Sequence, residues 1–423
     1  MYTVEEITID GFWHRLNAKC KFNEDVNIII GKNGTGKTTF MNIVHSALSV
    51  DLDGILESDF NSVVIKLCNG AKKKTIKLNK LESDRPPFQI IEYQISNKKH
   101  LLRAVAPDDR IPSSYRRRAM EEARDLKREL NAMINLSSLS VYRLRNTEDL
   151  EIKDRTGKKI ISPVDHRLEQ LKSALTQYQL ELSQEINTIS TKLQDDVLAS
   201  ILYSDSRESD IIIPRDFNKV EEKRSLFLAY KRLRKLDGNI RGKITKHIDA
   251  IDEAVKKLNN NEELTEKDFG AFQSYVRTQE IIEMSLKSES EIDITYQPIT
   301  NFLNMIGEFI EDKGFVFSSG NLMAFSRIID DFSDIPMEKL SSGEKQLLIL
   351  LIETLLQKNK KCVYLTDEPE LSLHVQWQRN ILPAIKKLNP NAQIIAATHS
   401  PEVASKYKTA LIDMKMVLSD AKS

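Results

Sequence analysis

The chain has 423 residues, and its 62 lysines and arginines balance its 62 aspartates and glutamates, so the formal net charge is zero. Hydrophobic residues make up 40% and charged residues 29% of the sequence. This excludes a mainly disordered chain, because such chains combine few apolar residues with a high net charge. At roughly 100–200 residues per domain the length predicts two or three structural units. Zero net charge argues against a protein that coats nucleic acid with its whole surface, but a local basic face stays possible.

Cysteine usage and the start of the chain indicate a reduced protein of the cytoplasm. The N-terminal segment MYTVEEITID lacks the basic and apolar stretches of a signal peptide. The most apolar run, Leu347–Leu356, is interrupted by Glu353 and has about half the length of a membrane span. We therefore expect a cytoplasmic protein without a membrane partner. Neither a disulfide framework nor a zinc cluster is indicated by the widely spaced cysteines, which are Cys20, Cys68 and Cys362.

Short apolar runs alternate with turns in the N-terminal region, which is typical of β-strands. The third run leads directly into a glycine-rich segment that begins at Gly31, and a helix over Lys37–Leu48 should follow. The predicted strands are Val4–Ile9, Ala18–Phe22, Val26–Ile30, Ser62–Leu67, Lys74–Leu78 and Phe88–Ile95.

The middle of the chain is charged and favours helices. A helix is predicted over Ser114–Leu136, and a strand over Leu139–Leu144. The segment Ser162-Pro163-Val164-Asp165 has the form of a helix start, with a serine cap, proline at the first position and an acid in the first turn. Apolar residues then recur in steps of three and four from Leu168 to Val197, which predicts a long helix of a coiled coil or bundle. A second long helical stretch covers Lys219–Leu258.

The C-terminal region mixes strands and helices again from Lys313 onward. Val363–Thr366 and Gln393–Thr398 are short apolar runs between polar turns, as in parallel strands that are buried on both faces. The predicted fold class is α/β: a head with a mixed or parallel sheet and helices, divided by an inserted helical arm. We place the head in residues 1–112 and 311–423. The arm, a coiled coil or bundle, occupies residues 113–310, with a strand near residues 139–144 returning to the head.

The glycine-rich segment fits the phosphate-binding pattern G-x-x-x-x-G-K-[ST]. It follows a predicted strand and opens a predicted helix, so backbone N–H groups and the positive end of the helix would face phosphate oxygens. Lys37 would neutralise the β- and γ-phosphates, and the Thr38 hydroxyl would ligate Mg²⁺. The candidate nucleotide-binding residues are Gly31, Asn33, Gly34, Thr35, Gly36, Lys37, Thr38 and Thr39.

Two carboxylates end the predicted strand Val363–Thr366. Asp367 at the carboxyl end of a buried strand could hold the metal ion, and Glu368 could polarise the attacking water. Acids at strand ends are also common turn formers, so this segment alone does not decide between a catalytic and a structural role.

Two further segments carry polar residues at element ends. The stretch Leu340–Gln346 precedes the apolar helix and reads as a helix cap, and such a helix start can also bind a γ-phosphate. His399 ends the strand that begins at Gln393 and has either a structural or a catalytic role.

In their order and spacing, these four segments make the chain similar to the ATP-binding-cassette ATPase superfamily. The resemblance covers about residues 1–100 and 310–410. It implies a head-to-head homodimer, or a higher homo-oligomer, with two ATP molecules and Mg²⁺ between the protomers. Lys37, Glu368 and His399 would be catalytic, and Thr38 and Asp367 would hold the metal ion. Contacts from the second protomer would come from the signature residues Ser341, Ser342, Gly343 and Glu344, and from Ser372 in the loop between subunits.

Some positions depart from the superfamily pattern or leave it open. Ser342 stands where many members have a second glycine, and Glu344 stands where transporters usually have glutamine, which resembles the soluble branch. The glutamine that contacts the metal ion is Gln94 or Gln89, and we take Gln94. A contact to adenine or phosphate by the first hairpin, or an ordinary exposed turn, is open for Phe12, Trp13 and Arg15.

A short helical insertion together with Asp-Glu-Pro-Glu-Leu-Ser-Leu-His resembles the OLD-type ATPases. In OLD nucleases a Toprim nuclease domain follows the head, and we expect none here because few residues follow His399. Asp51-Leu52-Asp53 is read as an ordinary surface turn. The chain thus resembles the nuclease-free ATPase subunits of two-gene bacterial antiphage systems such as Septu and PARIS. That resemblance implies a separately encoded effector nuclease of Toprim or HNH type.

The alternative is a DNA-repair or DNA-tethering ATPase that acts directly on duplex DNA. Its support is the stretch Lys223–Lys246, which contains nine basic residues and one acid, Asp237. A solvated helix face or a partner-docking surface explains the same stretch. Salt-dependent duplex binding would distinguish these alternatives.

Overall fold

The chain forms two structural units, and the first contains both ends of the sequence. One unit comprises residues 1–176 and 301–423, and the other comprises residues 177–300. The predicted boundaries at 112/113 and 310/311 therefore differ from these, because residues 113–176 and 301–310 belong to the first unit. The computed structural model describes residues 1–81, 88–105, 113–139, 150–154, 157–200, 217–233, 238–318, 320–327 and 334–420.

The N-terminal part of the chain alternates strands with three short to medium helices before the first long helix. In chain order the elements are β1 (Thr3–Phe12), β2 (Leu16–Lys21), β3 (Val26–Ile30), α1 (Lys37–Ser49), α2 (Leu52–Glu57), β4 (Ser62–Asn69), β5 (Lys72–Leu81), β6 (Phe88–Ile95), β7 (Lys98–Val105), α3 (Ser113–Met133), β8 (Leu136–Leu139), β9 (Leu150–Asp154), β10 (Gly157–Ile161) and α4 (Pro163–Ser200).

The rest of the chain contains three further helices and then returns to an α/β pattern. Its elements are α5 (Lys219–Arg232), α6 (Gly238–Asn259), α7 (Glu266–Phe309), β11 (Lys313–Ser318), β12 (Asn321–Ser326), β13 (Asp334–Ile335), α8 (Ser342–Leu356), β14 (Cys362–Asp367), α9 (Val375–Gln378), α10 (Ile381–Leu388), β15 (Ala392–Ala397), α11 (Pro401–Ala404), β16 (Leu411–Asp413), α12 (Met414–Val417) and β17 (Leu418–Asp420).

Two large sheets organise the first unit. A seven-stranded sheet has the order β17-β2-β1-β4-β5-β6-β7, and its neighbouring strands are antiparallel. A five-stranded sheet has the order β16-β3-β15-β14-β8, and its pairs are parallel. Every residue of β14 and β15 is buried, which is why both read as continuous apolar runs. The predicted α/β head with inserted helices is confirmed.

The strand predicted near residues 139–144 returns to the head as expected, but it starts earlier. It is β8, which pairs in parallel with β14 through Val363↔Leu136; residues 140–144 lie outside the described residues. The predicted cap of α4 is also present, since the amide of Asp165 donates to Ser162 Oγ at 3.2 Å.

Helices form the second unit, and their apolar residues meet inside it. Buried apolar residues of α4, α5, α6 and α7, with Leu233 directly after α5, form one cluster. The arrangement is that of a helical bundle, one of the two forms that the sequence predicted. No described helix combines the length and the apolar character that crossing a membrane requires. The cluster consists of Leu193, Leu226, Ala229, Leu233, Ile244, Ile248, Ile281 and Ile282.

Two ion pairs join the start of α4 to α8 within the first unit. Lys345 Nζ lies 2.7 Å from Asp165 Oδ1. Arg167 donates to Glu353 Oε1 from Nη2 at 2.6 Å and from Nε at 2.8 Å. Burial raises the pKa of Glu353 to about 7, although the Arg167 guanidinium lowers it. Because the folded-state pKa is raised, Glu353 favours the folded state at low pH. That advantage is lost as the pH rises from about 4.5 to about 7.

Arg167→Met should therefore destabilise the protein more above pH 7 than below it. Glu353 is ionised at high pH, and the variant then leaves a buried carboxylate without its cation. We expect a loss on the order of 2 kcal/mol at pH 8.5, less than for a fully buried pair. Melting temperatures at pH 5.5 and 8.5 measure the difference. Arg128→Met is the control, because it removes an exposed pair with Asp125. Equal losses for Arg167→Met at both pH values would contradict the assignment.

Candidate active site

The register of three parallel strands brings the predicted catalytic segments to one edge of the sheet. Asp367 in β14 pairs with Ala397 in β15, and Ala397 pairs with Ile29 in β3. The residues that follow these three positions therefore leave the sheet side by side at its carboxyl edge. These followers are the glycine-rich loop, Glu368 and His399.

The glycine-rich loop connects β3 to α1 as predicted, and two of its glycines need left-handed backbone. Gly34 has φ 76° and Gly36, the residue before α1, has φ 90°. A Cβ at Gly36 would lie 3.0 Å from the rings of both Phe12 and Trp13, whereas no atom lies within 4 Å of a Cβ at Gly34. Position 36 therefore requires glycine both for its backbone conformation and for lack of space, whereas position 34 requires it for the backbone conformation alone.

Lys37 is the buried cation of the site, with 4% of its surface exposed. Its Nζ donates to the carbonyl oxygens of Gly31 at 2.9 Å and Lys32 at 3.3 Å, and lies 2.7 Å from His399 Nε2. An ammonium group has no acceptor, so the imidazole nitrogen accepts when Lys37 is charged. Burial lowers the pKa of Lys37, and the nearby carboxylates, those of Asp367, Glu368 and Glu370, partly offset this effect.

Glu368 follows β14 in a left-handed conformation with φ 49°. Its backbone N–H donates to the carbonyl of Ala397 at 2.7 Å, so the main chain is tied to the neighbouring strand while it turns. Glu368 Oε1 lies 3.9 Å from His399 Nε2. His399 Nε2 is thus within hydrogen-bonding distance of Lys37 Nζ but not of Glu368.

Glu370 is a member of the site to which the sequence assigned no role. Its Oε1 accepts hydrogen bonds from Thr398 Oγ1 at 2.5 Å and from the amides of His399 and Ser400 at 3.3 Å each. The signal in the sequence was an acid two residues after Glu368, in the turn that follows β14, which is the strand next to β15. Only the strand order reveals that adjacency.

A cavity of about 750 Å³ opens between these loops. The loop residues Asn33, Gly34 and Thr38 line one side, and Glu368, Ser372 and His399 are among the residues of the other. The site fits a nucleoside triphosphate with Mg²⁺. It offers backbone amides at the start of α1, the Lys37 amine and two acidic residues at the end of β14. Thr38 and Asp367 have the oxygen donors that Mg²⁺ prefers.

The start of α8 carries the signature residues and a complete capping box. Ser341 Oγ accepts from the Glu344 amide at 3.3 Å, and Glu344 Oε2 accepts from the Ser341 amide at 2.8 Å. Glu344 Oε1 accepts from Lys313 Nζ at 2.6 Å, and Glu344 is buried. Both carboxylate oxygens of Glu344 therefore have partners inside the chain, whereas Ser341 and Ser342 are exposed.

Gly343 brings α8 against the turn that contains Ser372. A Cβ at Gly343 would lie 2.5 Å from the carbonyl oxygen of Ser372. The same turn lines the cavity through Ser372. The structure thus places the start of α8 and the cavity on two sides of one short turn.

The structure does not bring Gln94 to the residues around Thr38. Gln94 lies in β6 opposite Lys77, and its side-chain amide donates to the Ser96 carbonyl at 2.8 Å. Gln89 lies at the other end of β6, beyond Ile90, which pairs with Leu81. Neither Gln94 nor Gln89 is among the residues that line the cavity.

The first hairpin supports the glycine-rich loop with two of its three candidate residues. Phe12 is buried, and its ring lies 4.8 Å from that of Trp13, centroid to centroid. Both rings pack against Gly36. Arg15 is exposed.

In the second unit the basic stretch covers parts of α5 and α6. Arg232 lies within hydrogen-bonding distance of Ser285 and Glu289, and Arg234 and Lys235 lie outside the described residues. Lys223 lies over the ring of Phe227 at 5.8 Å. The exposed basic residues are Arg224, Lys231, Arg241, Lys243 and Lys246.

The candidate site combines a glycine-rich loop, paired acids and a histidine, and comparison with known proteins gives the family. The model of the AAA ATPase domain family matches residues 3–404. The chain belongs to that family.

Three relatives with functional names align with parts of the chain. The Retron Ec83 probable ATPase of Escherichia coli is 41% identical over 15% of this chain and 14% of its own length. The Retron Vc95 probable ATPase of Vibrio cholerae serotype O1 biovar El Tor is 28% identical over 36% of this chain and 27% of its own length. The Septu protein PtuA of Bacillus thuringiensis is 36% identical over 22% of this chain and 27% of its own length. The matches thus span little more than a quarter of these curated relatives at most.

Among solved structures, the Smc head domain of Pyrococcus furiosus, with an extended coiled coil and bound to the C-terminal domain of ScpA, aligns over 96% of this chain and 92% of that chain. The identity is 13% and the TM-score is 0.43. A likeness this loose assigns neither an activity nor an assembly.

Gly343→Ala should disturb the turn at Ser372, because the added methyl group meets a backbone oxygen that cannot rotate away. Such overpacking costs about 1–3 kcal/mol, and we expect both a lower melting temperature and slower ATP hydrolysis. Gly242→Ala is the control, since a Cβ there meets no atom within 4 Å. Equal melting temperatures and rates for the two variants would contradict the close contact between α8 and the turn.

Proposed function

We propose that the chain binds and hydrolyses ATP with Mg²⁺ at the cavity beside α1. The observation that carries this proposal is the meeting of four groups at one sheet edge: the glycine-rich loop, Lys37, the acids that end β14, and His399. Lys37 neutralises phosphate charge, and Glu368 orients and polarises the attacking water. His399, whose Nε2 lies 2.7 Å from Lys37 Nζ, helps to hold the ammonium group in place. Bound Mg²⁺, held by Thr38 and Asp367, would neutralise the charge that develops on the phosphate oxygens.

A head-to-head dimer is part of the proposal, with the start of α8 contributed by the second protomer. Ser341 and Ser342 are exposed at a helix start, where amides favour a phosphate. Glu344 is not expected to contact ATP, because both of its carboxylate oxygens already accept hydrogen bonds within the chain. The hydroxyl groups of Ser341 and Ser342 and the local amides are the groups that would contact ATP.

Glu368→Gln should lower ATP hydrolysis by about a hundredfold or more, because the general base is lost, while ATP binding persists. Lys37→Ala should weaken ATP binding itself, because the phosphate charge loses its cation. Turnover and the affinity for a fluorescent ATP analogue measure the two effects separately. Glu121→Gln, an exposed acid on α3, is the control. Wild-type turnover by Glu368→Gln would refute the role of Glu368.

We also propose that this ATPase is the sensor or scaffold that controls a separately encoded effector nuclease in antiphage defence. The support is the similarity to proteins named retron ATPases and Septu protein PtuA, together with the resemblance in the motif order. ATP binding would close the head dimer, and hydrolysis would reopen it. The nuclease, of Toprim or HNH type, would follow that cycle.

The competing function is an ATPase that acts directly on duplex DNA. The exposed basic residues of α5 and α6 favour it, because phosphate contacts supply most of the affinity for duplex DNA. Within the described parts of the chain, five of them form no ion pair. These five are Arg224, Lys231, Arg241, Lys243 and Lys246.

Affinity purification from the native host should separate the two functions. The Glu368→Gln variant with ATP should retain the product of a neighbouring nuclease gene, and Lys37→Ala should retain less of it. Phage protection should then require both genes. If no nuclease gene is adjacent and no second protein is retained, the defence proposal fails. Salt-sensitive duplex binding that Arg241→Glu with Lys243→Glu abolishes would support the DNA-acting alternative instead.

A further inference from the structure

The loop that carries His399 is held by acceptors from the segment after β14. Glu370 Oε1 receives the Thr398 hydroxyl and two consecutive amides. All three partners are donors, which suits a group that only accepts when ionised. Charge-assisted hydrogen bonds of this kind are stronger than neutral ones.

Further contacts tie the same two segments together beyond the carboxylate. Ser400 Oγ donates to Gln378 Oε1 at 2.7 Å, and Arg379 Nη2 lies 2.7 Å from Glu402 Oε2. Both contacts involve residues that follow His399 in the sequence, whereas β15 precedes it. Glu370 differs from these contacts because it accepts hydrogen bonds from His399 itself, through the amide, and from the residues on both sides of it, Thr398 and Ser400.

The position of the imidazole depends on this backbone. His399 is exposed. Its Nε2 atom lies 2.7 Å from Lys37 Nζ and 3.9 Å from Glu368 Oε1. About a third of the His399 side chain is exposed, so the position of its ring depends on the main chain that carries it as well as on its contact with Lys37. A shift of about 1 Å in a catalytic group can cost a hundredfold in rate.

We infer that Glu370 is a positioning residue for ATP hydrolysis: its carboxylate fixes the backbone at 398–400, so that His399 stays against Lys37 and beside Glu368. The inference rests on the proposed ATPase function. Glu370 lines the cavity, but its Oε1 accepts three hydrogen bonds from residues 398–400, so the role that we infer for it runs through His399. The carboxylate has a second oxygen, Oε2, that is buried and has no hydrogen-bond partner among the described residues, so its hold on the loop depends on Oε1 alone.

Glu370→Ala should slow hydrolysis about ten- to a hundredfold through misplacement of His399, with the affinity for a fluorescent ATP analogue unchanged. Thr398→Val removes one donor while preserving shape, and should lower the rate in the same direction. Thr398→Ser returns the hydroxyl group and should recover most of that loss. This matched pair keeps the test valid if Glu370→Ala does not fold, which melting curves of each variant will reveal.

A double-mutant cycle with His399→Ala distinguishes positioning from a general structural role. If Glu370 acts through His399, Glu370→Ala should add no further loss of rate in the His399→Ala background. A purely structural role would give losses that multiply. Multiplying losses, or a wild-type rate for Glu370→Ala, would overturn the inference.

The ATPase proposal fails in a different way. It fails if the wild-type protein does not hydrolyse ATP or if Glu368→Gln hydrolyses it at the wild-type rate. With those two results as expected, a failure at Glu370 concerns the positioning role alone.

Discussion

The register between β3, β15 and β14 is the constraint from which the site follows. Ile29, Ala397 and Asp367 lie in one row across three parallel strands, and β14 and β15 are buried along their whole length. A slip of two residues would keep every side chain on its face and still separate Glu368 from His399. The observed pairing of the three strands sets the row, and the row brings Glu368, His399 and the glycine-rich loop to the carboxyl edge of the sheet.

This arrangement also concentrates charge where the chain as a whole is neutral. Lys37 is buried beside three carboxylates, and they partly offset the loss of hydration of its ammonium group. The loop carbonyls of Gly31 and Lys32 accept hydrogen bonds from the same ammonium group. The zero net charge of the sequence conceals this local balance, just as it conceals the basic residues of α5 and α6.

The sequence predicted those parts of the site that lie within one segment. The loop 31–38 and the acids after β14 combine a local pattern with a predicted strand, so both residue type and place could be inferred. Gln94 could not be placed, since only the pairing of β6 with β5 shows that its position lies opposite Lys77. Glu370 was missed for a similar reason. Its partners lie in the loop after β15, and the sequence does not show that β14 and β15 are neighbours in the sheet. Likewise, the capping role of Glu344 was readable from its spacing to Ser341, but its ion pair with Lys313 was not.

The turn after β14 carries backbone strain at both of its ends. Glu368 has φ 49° and Ser372 has φ 66°, and neither is glycine; left-handed backbone costs such residues roughly 1–2 kcal/mol each. Strain of this size persists only where surrounding contacts determine the conformation. Here those contacts are the Glu368 amide on Ala397, the Glu370 carboxylate on the His399 loop, and Gly343 against the Ser372 carbonyl. A turn that merely connected two elements would not need any of the three. These contacts attach one short segment to β15 and to α8 at once, so they hold Glu368, the loop of His399 and the start of α8 close together.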